Sequence, residues 1–358
     1  MHQKVWVIDG IHVYIGSSNM DWLSLSQVKE MGVTVHNSTS IGSNVQQYFN
    51  SWWAFADPQL LETSSKGSYE STQFQTLLEG PCWSKHVANC ENPIADEFPF
   101  PNNINHQLDV SFNGNIPSSN FITGSPREVL GNSDHRSRSS LRTWDLDGLV
   151  YTIRSATEFV YLSVMDYIPS SLYGTDTASG QMAWWSNLND ALLAVQYGKN
   201  VTVKLLISNW AHSDPFIFQQ LQGLQQQGSA CSTKSAHPCG RLEIRIYEVP
   251  GWNQTTDFEG AVDPMYPPFS RVAHGKYIVS DTRANIGTSN MAFSYFYSTA
   301  GASFNTDDSN LVANLQTSFL RDWESIYSFG LNDWLDANEN LNRETTEHEI
   351  YNNADLYH

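Results

Sequence analysis

The sequence contains the pattern His-x-Lys-x4-Asp twice, and each copy is followed by a second shared pattern. The two copies consist of His2, Lys4, Asp9 and of His274, Lys276, Asp281. After six residues in the first copy and five in the second comes Gly-[Ser/Thr]-Ser-Asn, which ends at Asn19 and Asn290. With 11 His, 19 Lys plus Arg and 37 Asp plus Glu, about 0.06 matches to the spacing are expected by chance. The duplication therefore predicts two related structural halves that meet at a shared site.

The residue types in the repeat predict phosphodiester chemistry. On a strand, a His and a Lys two positions apart point to the same face. Two such halves surround one pocket with two His, two Lys and two Asn, and the Lys and Asn side chains can hold non-bridging phosphate oxygens. One His can attack phosphorus while the other protonates the leaving oxygen and then activates water. No metal or cofactor is expected, because side chains supply the positive charge, and Asp9 and Asp281 are expected to be structural ion-pair partners.

The pattern along the chain predicts an α/β fold with a largely parallel or mixed sheet. Apolar runs at 159–165, 201–207 and 242–249 are typical of buried strands, and residues 182–197 carry helical spacing. Such alternation favours an α/β sandwich. Four regions are predicted: the C-terminal part of a first half (1–54), an Asn/Ser/Pro-rich loop insertion (55–145), a second half (146–330) and a solvated acidic tail (331–358).

Five tryptophans are expected to pack in the core rather than stack on bases: Trp22, Trp52, Trp53, Trp184 and Trp185.

The charge balance restricts the kind of partner. The formal net charge is −18, so a general basic surface for coating nucleic acid is excluded and phosphate must be met at a local cationic site. Because protonation of the 11 His reduces the net charge to −7, the composition suits an acidic compartment.

Cysteines and sequons favour the secretory pathway. The four cysteines form two close pairs, Cys82/Cys90 and Cys231/Cys239, for which local disulfides are preferred over a zinc site. Three sequons begin at Asn37, Asn200 and Asn253. The sequence shows neither a signal peptide nor an apolar run of membrane-spanning length.

The double motif resembles the phospholipase D superfamily, whose fold is two α/β sandwich halves around one active site. A closer resemblance to its lysosomal 5′-exonuclease branch, phospholipase D three and four, rests on four further segments. They are Gly16-Ser-Ser-Asn-Met-Asp-Trp22, Ser163-Val-Met-Asp-Tyr-Ile-Pro169, Leu205-Leu-Ile-Ser-Asn-Trp-Ala-His-Ser213 and Ser318-Phe-Leu-Arg-Asp-Trp323. That branch implies a glycosylated type II membrane protein of the lysosome that degrades single-stranded DNA and RNA from the 5′ end. Members of the branch are also linked to lysosomal phospholipid synthesis. Whether the chain forms a homodimer is left open.

Carried over to this chain, the resemblance makes His2 and His274 the catalytic pair, with Lys4, Lys276, Asn19 and Asn290 binding phosphate. Glu30 stands where the superfamily often places the carboxylate that orients a catalytic His, whereas the corresponding second-half residue is Gly301. His274 is therefore interpreted as the nucleophile and His2 as the general acid and base.

Two departures from the family pattern matter. The first half lacks the strands that should precede His2, which suggests a fragment or an incomplete gene model whose membrane anchor lies in the missing region. Asn209 stands where the branch usually has a disulfide-forming Cys.

Three hypotheses for the function stay open: an acid 5′-exonuclease, a phospholipid phosphodiesterase or transphosphatidylase, and an inactive truncated relative.

Overall fold

The structure is a computed structural model that describes residues 2–55, 102–114, 116–130, 142–171, 182–231, 238–253, 256–257 and 270–338. The first motif lies on a small antiparallel sheet of three strands, β1 (Val5–Ile8), β2 (His12–Gly16) and β3 (Gly32–Val35). The short helix α1 (Trp22–Ser26) connects β2 to β3, and α2 (Thr39–Phe55) packs against β1 and β2.

The second motif lies in the middle of a large sheet. Its strands are β4 (Leu108–Val110), β5 (Ser118–Ser125), β6 (Phe159–Val164), β7 (Thr202–Ser208), β8 (Leu242–Tyr247), β9 (Lys276–Ser280), β10 (Ala284–Gly287), β11 (Gly301–Thr306) and β12 (Ser328–Gly330). Their order is β12-β8-β7-β6-β9-β10-β11-β5-β4. The neighbours β6, β7 and β8 are parallel and the other pairs are antiparallel, so the sheet is mixed.

Helices cover both faces of this sheet. They are α3 (Asp145–Ser155), α4 (Asn187–Lys199), α5 (Pro215–Cys231), α6 (Phe293–Tyr297), α7 (Ser309–Trp323) and α8 (Leu331–Ala337). Alternate residues of β6 divide between two cores: Val160 and Leu162 pack with α3, α4 and α5, whereas Tyr161 packs with Phe319 of α7. Because both faces are buried, β6 reads in the sequence as a continuous apolar run.

A third core joins the small sheet to the large one. Ile15 of β2 lies in one apolar cluster with Ile122 of β5 and Phe304 of β11. The buried Tyr48 hydroxyl of α2 donates a hydrogen bond to the carbonyl of Gly301. The two motif-bearing units are thus packed together through shared side chains, which fixes the position of one motif relative to the other.

Three regions differ from the sequence expectations. Residues 108–125, assigned to a loop, contain β4 and β5, because polar side chains of β5 are buried and bonded to one another, as Asn120 Nδ2 is to the Ser118 carbonyl at 2.7 Å. The expected solvated tail begins with α8, whose Trp334 is buried and donates to Glu248 at 2.8 Å. The expectation of core packing is wrong for Trp22, Trp53 and Trp184, which are exposed.

Candidate active site

A short backbone contact brings the first half onto the second motif. The amide of Lys29 donates to the Val272 carbonyl at 3.0 Å, and the amide of His274 donates back to the Lys29 carbonyl at 2.8 Å. The Lys29 side chain also forms an ion pair with Asp322 of α7. These bonds place Glu30, the next residue along the chain, directly beside the His274 ring.

Glu30 and His274 form the central pair of the site. Nδ1 of His274 lies 2.9 Å from one carboxylate oxygen of Glu30 and 3.0 Å from the other. The hydroxyls of Ser17 and Ser24 donate to the same carboxylate. Burial by itself raises the pKa of Glu30, but the hydrogen bonds from His274, Ser17 and Ser24 outweigh burial and lower the pKa to about 2. The carboxylate is therefore ionised and fixes the proton of His274 on Nδ1.

This arrangement leaves His274 neutral with a free lone pair. Burial and the charge of Lys276 lower the pKa of His274 to about 4, although Glu30 opposes them. With the proton held on Nδ1, Nε2 is the unprotonated nitrogen. A neutral, oriented imidazole nitrogen is what a nucleophile at phosphorus requires.

His2 lies in a different environment. Its amide donates to the Ala300 carbonyl at 3.2 Å, and its ring meets the edge of Tyr295 with centroids 5.0 Å apart. No carboxylate among the described residues pairs with it. Gly301 occupies the position that matches Glu30, and a Cβ there would collide with the hydroxyls of Ser289 and Ser125. Burial, followed by the charges of Lys4, Lys276 and His274, keeps the pKa of His2 well below its usual value.

The two lysines repeat one contact. Lys4 Nζ donates to the carbonyl of His2 at 2.9 Å, and Lys276 Nζ donates to the carbonyl of His274 at 2.9 Å. Both side chains are buried. Burial and the charge of Lys276 lower the pKa of Lys4 to about 7, and burial lowers the pKa of Lys276 to about 8. Because the charge of Lys276 disfavours the ammonium form of Lys4, an anion bound beside both lysines would stabilise that form.

The two asparagines are not equivalent. Asn290 is fully buried, and its Nδ2 donates to Asp166 at 2.8 Å and to the Tyr295 hydroxyl at 3.2 Å. Asn19 is exposed, and its backbone amide donates to Ser24 at 2.8 Å. The sequence predicts that both asparagines bind phosphate; the structure buries Asn290 and leaves Asn19 exposed, and phosphate binding by either stays a prediction.

The motif aspartates lie at the other end of their strands. Asp281 accepts hydrogen bonds from the backbone amides of residues 157, 158 and 159 and, at 2.6 Å, from the Thr157 hydroxyl. Asp9 is exposed in the turn between β1 and β2, at φ 54°. Asp281 is thus held by backbone amides and a hydroxyl rather than by the expected cation, and the structural role of Asp9 stays a prediction.

Asp166 is a site residue that the motif spacing did not indicate. It lies two residues after the end of β6, its Oδ1 accepts from Trp210 Nε1 at 3.3 Å, and its charge acts on Lys276. Asp166 and its partner Trp210 lie in the segments 163–169 and 205–213, which the sequence singled out only for their resemblance to the family. The segment at 318–323, which also carried the family resemblance, contains Asp322, the partner of Lys29.

The remaining expectations concern the surface. The disulfide between Cys231 and Cys239 is confirmed, whereas Cys82 and Cys90 lie outside the described residues. The sequon residues Asn37, Asn200 and Asn253 are all exposed, as a glycan requires. Asn209 bonds Glu248 at 3.0 Å.

The described residues contain neither a metal-binding cluster nor a membrane-spanning helix. Within the described ranges, three or more His, Cys, Asp or Glu side chains nowhere gather in a way that could hold a metal ion. In the same part of the chain, no helix combines the length and the apolar character needed to span a bilayer.

A sequence profile decides the family. The profile described as "PLD3/4, PLD-like domain" matches residues 1–76 and 105–251. The chain belongs to the phospholipase D family. Within it, the match is to the branch of PLD3 and PLD4, and the two related halves around one site are the fold of that family.

Curated relatives of the phospholipase D family carry several names. "Phospholipase D Z" of Dictyostelium discoideum is 32% identical over 92% of this chain and 63% of its own length. The "Virion nicking-joining enzyme" of Vaccinia virus is 32% identical over 93% of this chain and 65% of its own. The "5'-3' exonuclease PLD4" of Mus musculus is 30% identical over 92% of this chain and 56% of its own. The chain thus spans less than two thirds of each of these relatives.

A solved structure supports the fold alone. Phosphatidylserine synthase of Haemophilus influenzae superposes with a TM-score of 0.50 over 93% of this chain and 64% of that one, at 9% identity.

Proposed function

We propose that this chain is a phosphodiesterase that degrades single-stranded nucleic acid from the 5′ end through a phosphohistidine on His274. The observation that carries the proposal is the pair of Glu30 and His274, joined by hydrogen bonds of 2.9 and 3.0 Å. A buried carboxylate that holds Nδ1–H gives the ring one tautomer and leaves Nε2 for attack.

The reaction takes two displacements at phosphorus. In the first, Nε2 of His274 forms the P–N bond as the P–O bond to the leaving group breaks, and protonated His2 gives its proton to the leaving oxygen. In the second, neutral His2 takes a proton from water, whose oxygen attacks phosphorus and releases His274. Lys4 and Lys276 hold the non-bridging oxygens as charge develops on them.

The charge of the substrate prepares His2 for its role. In the empty site burial and, after it, the cationic neighbours lower the pKa of His2, so its protonated form is scarce. A phosphodiester anion bound between the lysines reverses that field and raises the pKa of His2. Acidic conditions then favour the protonated form of His2. We therefore propose an acidic working pH and a lysosomal or endomembrane-lumenal location.

The choice of nucleic acid rests on the relatives. Two of them are named for reactions on nucleic acid strands, the exonuclease of Mus musculus and the nicking-joining enzyme of Vaccinia virus. The net charge of −18 argues against a general basic surface, which is consistent with an enzyme that takes one strand end into a local cationic site.

A phospholipid substrate is the second candidate, and one feature favours it. Met20, Trp22 and Leu25 are all more than half exposed on and beside α1, whose Ser24 bonds Glu30. An apolar rim next to a phosphodiester site can receive acyl chains as well as bases. "Phospholipase D Z" of Dictyostelium discoideum is one of the relatives.

The test offers both substrate classes to the chain at about pH 5. The first is a 3′-labelled single-stranded oligonucleotide with a 5′-hydroxyl, with a circular strand of the same sequence as the control; the second is vesicles of phosphatidylglycerol. Stepwise shortening of the linear strand with no attack on the circle is expected. Turnover of lipid alone would replace the exonuclease by the lipid reaction. Turnover of neither, without any acid-labile phosphoenzyme, would favour the inactive relative.

A further inference from the structure

Asn290 is bonded in a way that conflicts with its expected task. To bind a phosphate oxygen, an asparagine must offer an N–H. Both N–H bonds of Asn290 are already used, one by Asp166 at 2.8 Å and one by the Tyr295 hydroxyl at 3.2 Å. Its Oδ1 is buried and has no hydrogen-bond partner among the described residues. A phosphodiester oxygen carries no proton, so this orientation of the amide cannot bind it.

The orientation is set by the charge on Asp166. An ionised carboxylate accepts hydrogen bonds only, so it holds Nδ2 of Asn290 and turns Oδ1 away. A protonated carboxyl can donate to Oδ1 instead. The amide then rotates by half a turn about a torsion that is broad and roughly two-fold, and Nδ2 takes the place of Oδ1. Because the amide oxygen and nitrogen are similar in size, the rotation needs no repacking around this fully buried side chain.

The position of Asn290 makes this rotation relevant to the substrate. Asp166 acts electrostatically on Lys276 of the second motif, and Tyr295 contacts the His2 ring with centroids 5.0 Å apart. Asn290 bonds both Asp166 and Tyr295. The amide thus lies between the two catalytic halves.

We propose that Asp166 is a positioning residue that decides which end of the Asn290 amide faces the phosphate: ionised, it withholds the N–H, and protonated, it releases the N–H to a non-bridging oxygen. The inference rests on the proposed phosphodiester substrate. It adds that phosphate binding takes up a proton at a site that is not a catalytic histidine.

The surroundings of Asp166 put its titration in a useful range. Burial raises the pKa of Asp166 to about 6. The charges of Lys276 and His212 and the hydrogen bond from the Trp210 indole oppose this increase, whereas the charge of Asp214 adds to it. Among the described residues, Lys276 acts on Asp166 from β9, Trp210, His212 and Asp214 act from the segment after β7, and Asn290 bonds it from the loop after β10. A bound phosphate anion raises the pKa of Asp166 further, so binding and protonation support each other.

The experiment measures binding without turnover. Dimethyl phosphate is a diester whose single charge is constant between about pH 5 and about pH 7, and its affinity for the full chain can be followed by calorimetry. If only the protonated form binds, linkage to a pKa of about 6 predicts an affinity loss of about tenfold across that interval. The wild type also takes up protons on binding, which buffers of different ionisation enthalpy reveal.

Three variants separate the role of Asp166 from other titrations. Asp166→Asn can donate to Oδ1 at every pH, so it is expected to bind near pH 7 about as well as the wild type near pH 5, with no proton uptake from this site. Asp214→Asn keeps the cap of α5, in which Asp214 accepts from the Phe216 amide at 2.8 Å, but it removes the charge that raises the pKa of Asp166. In Asp214→Asn the loss of dimethyl phosphate affinity is therefore expected at lower pH.

Asp145→Asn is the control, because it changes a carboxyl that is also buried but bonds Thr123. It is expected to leave the pH of the affinity loss unchanged.

The outcomes are separable from those of the proposed function. An Asp166→Asn chain that is folded by circular dichroism but keeps the wild-type pH dependence, or binds at no pH, overturns the inference. So does a wild type that fails to bind dimethyl phosphate near pH 5. A chain that binds with the expected pH dependence but cleaves no strand keeps this inference and overturns the exonuclease.

Discussion

The two motif copies share their spacing but differ in their support. In the second, His274 is held by Glu30, and Asn290 by Asp166. In the first, His2 has no carboxylate partner among the described residues, and Asn19 is exposed. The carboxylate that orients the second histidine comes from the first half of the chain. The difference teaches that a duplicated motif can supply two chemical roles, because the environment rather than the motif sets tautomer and charge.

The largest effect should come from exchanging the two histidines for alanine one at a time. We expect His274→Ala to abolish phosphoenzyme and turnover, since no nucleophile is left. His2→Ala should lower turnover of a nucleic acid by about 10²–10⁴-fold. With a p-nitrophenyl phosphodiester, whose leaving group needs no proton, it should still form the phosphoenzyme and accumulate it. Rapid-quench labelling measures both steps, and the reverse pattern would exchange the two roles.

The next effect concerns the carboxylate. Glu30→Gln should lower kcat by about 10²-fold or more, because the preference for one His274 tautomer is lost. In the wild type, kcat/KM should fall below about pH 4 as His274 is protonated, and the loss of Glu30, which raises the pKa of His274, should move that limb to lower pH. Glu158→Gln, an exposed carboxyl, is the control. A pH–rate profile with an unmoved acid limb would exclude Glu30 as the partner that sets the charge of His274.

A smaller effect is expected at Gly301, the position that matches Glu30 but offers His2 no carboxylate. In Gly301→Ala the added methyl meets the hydroxyls of Ser289 and Ser125, so we expect a loss of about 1–3 kcal/mol in the free energy of unfolding. Gly198→Ala, in helix α4 with open space around it, should instead stabilise by about 0.5–1 kcal/mol. Urea denaturation compares the two. A neutral Gly301→Ala would mean that space does not limit this position.

The smallest effect concerns the motif aspartates. Asp281→Asn should lower the free energy of unfolding by about 0.5–2 kcal/mol, since Asp281 accepts bonds from three backbone amides, whereas Asp9→Asn should stay within about 0.5 kcal/mol. Hydrogen bonds from Thr157 and its neighbours outweigh burial and lower the pKa of Asp281. The stabilisation by Asp281 is thus present above its unfolded pKa and is lost as the pH falls through the folded one. Equal losses for both variants at neutral pH would contradict the comparison.

Much of the secondary structure could be predicted from local patterns. Strands β6, β7 and β8 lie within a few residues of the apolar runs at 159–165, 201–207 and 242–249 that predicted them. Strand β5 was missed, because its serines, asparagine and threonine resemble a loop until their partners, such as Asp145, are known. Trp184 fits the helical spacing of 182–197, but helix α4 begins at Asn187 and leaves the indole exposed.

The sequence by itself determined the chemistry that the chain can offer: two His, two Lys and an Asn from each repeat, brought to one site by a duplicated strand-and-turn unit. Local spacing is enough for this, because strand periodicity fixes which side chains share a face. The family resemblance pointed to Glu30 as an orienting carboxylate, but only the tertiary structure showed that Glu30 bonds His274 and not His2, and that Asn290 is buried whereas Asn19 is exposed. Those properties depend on contacts between residues far apart in the chain, such as Glu30 with His274 and Asp166 with Asn290. No local spacing encodes such contacts; the packing of the two sheets against each other does.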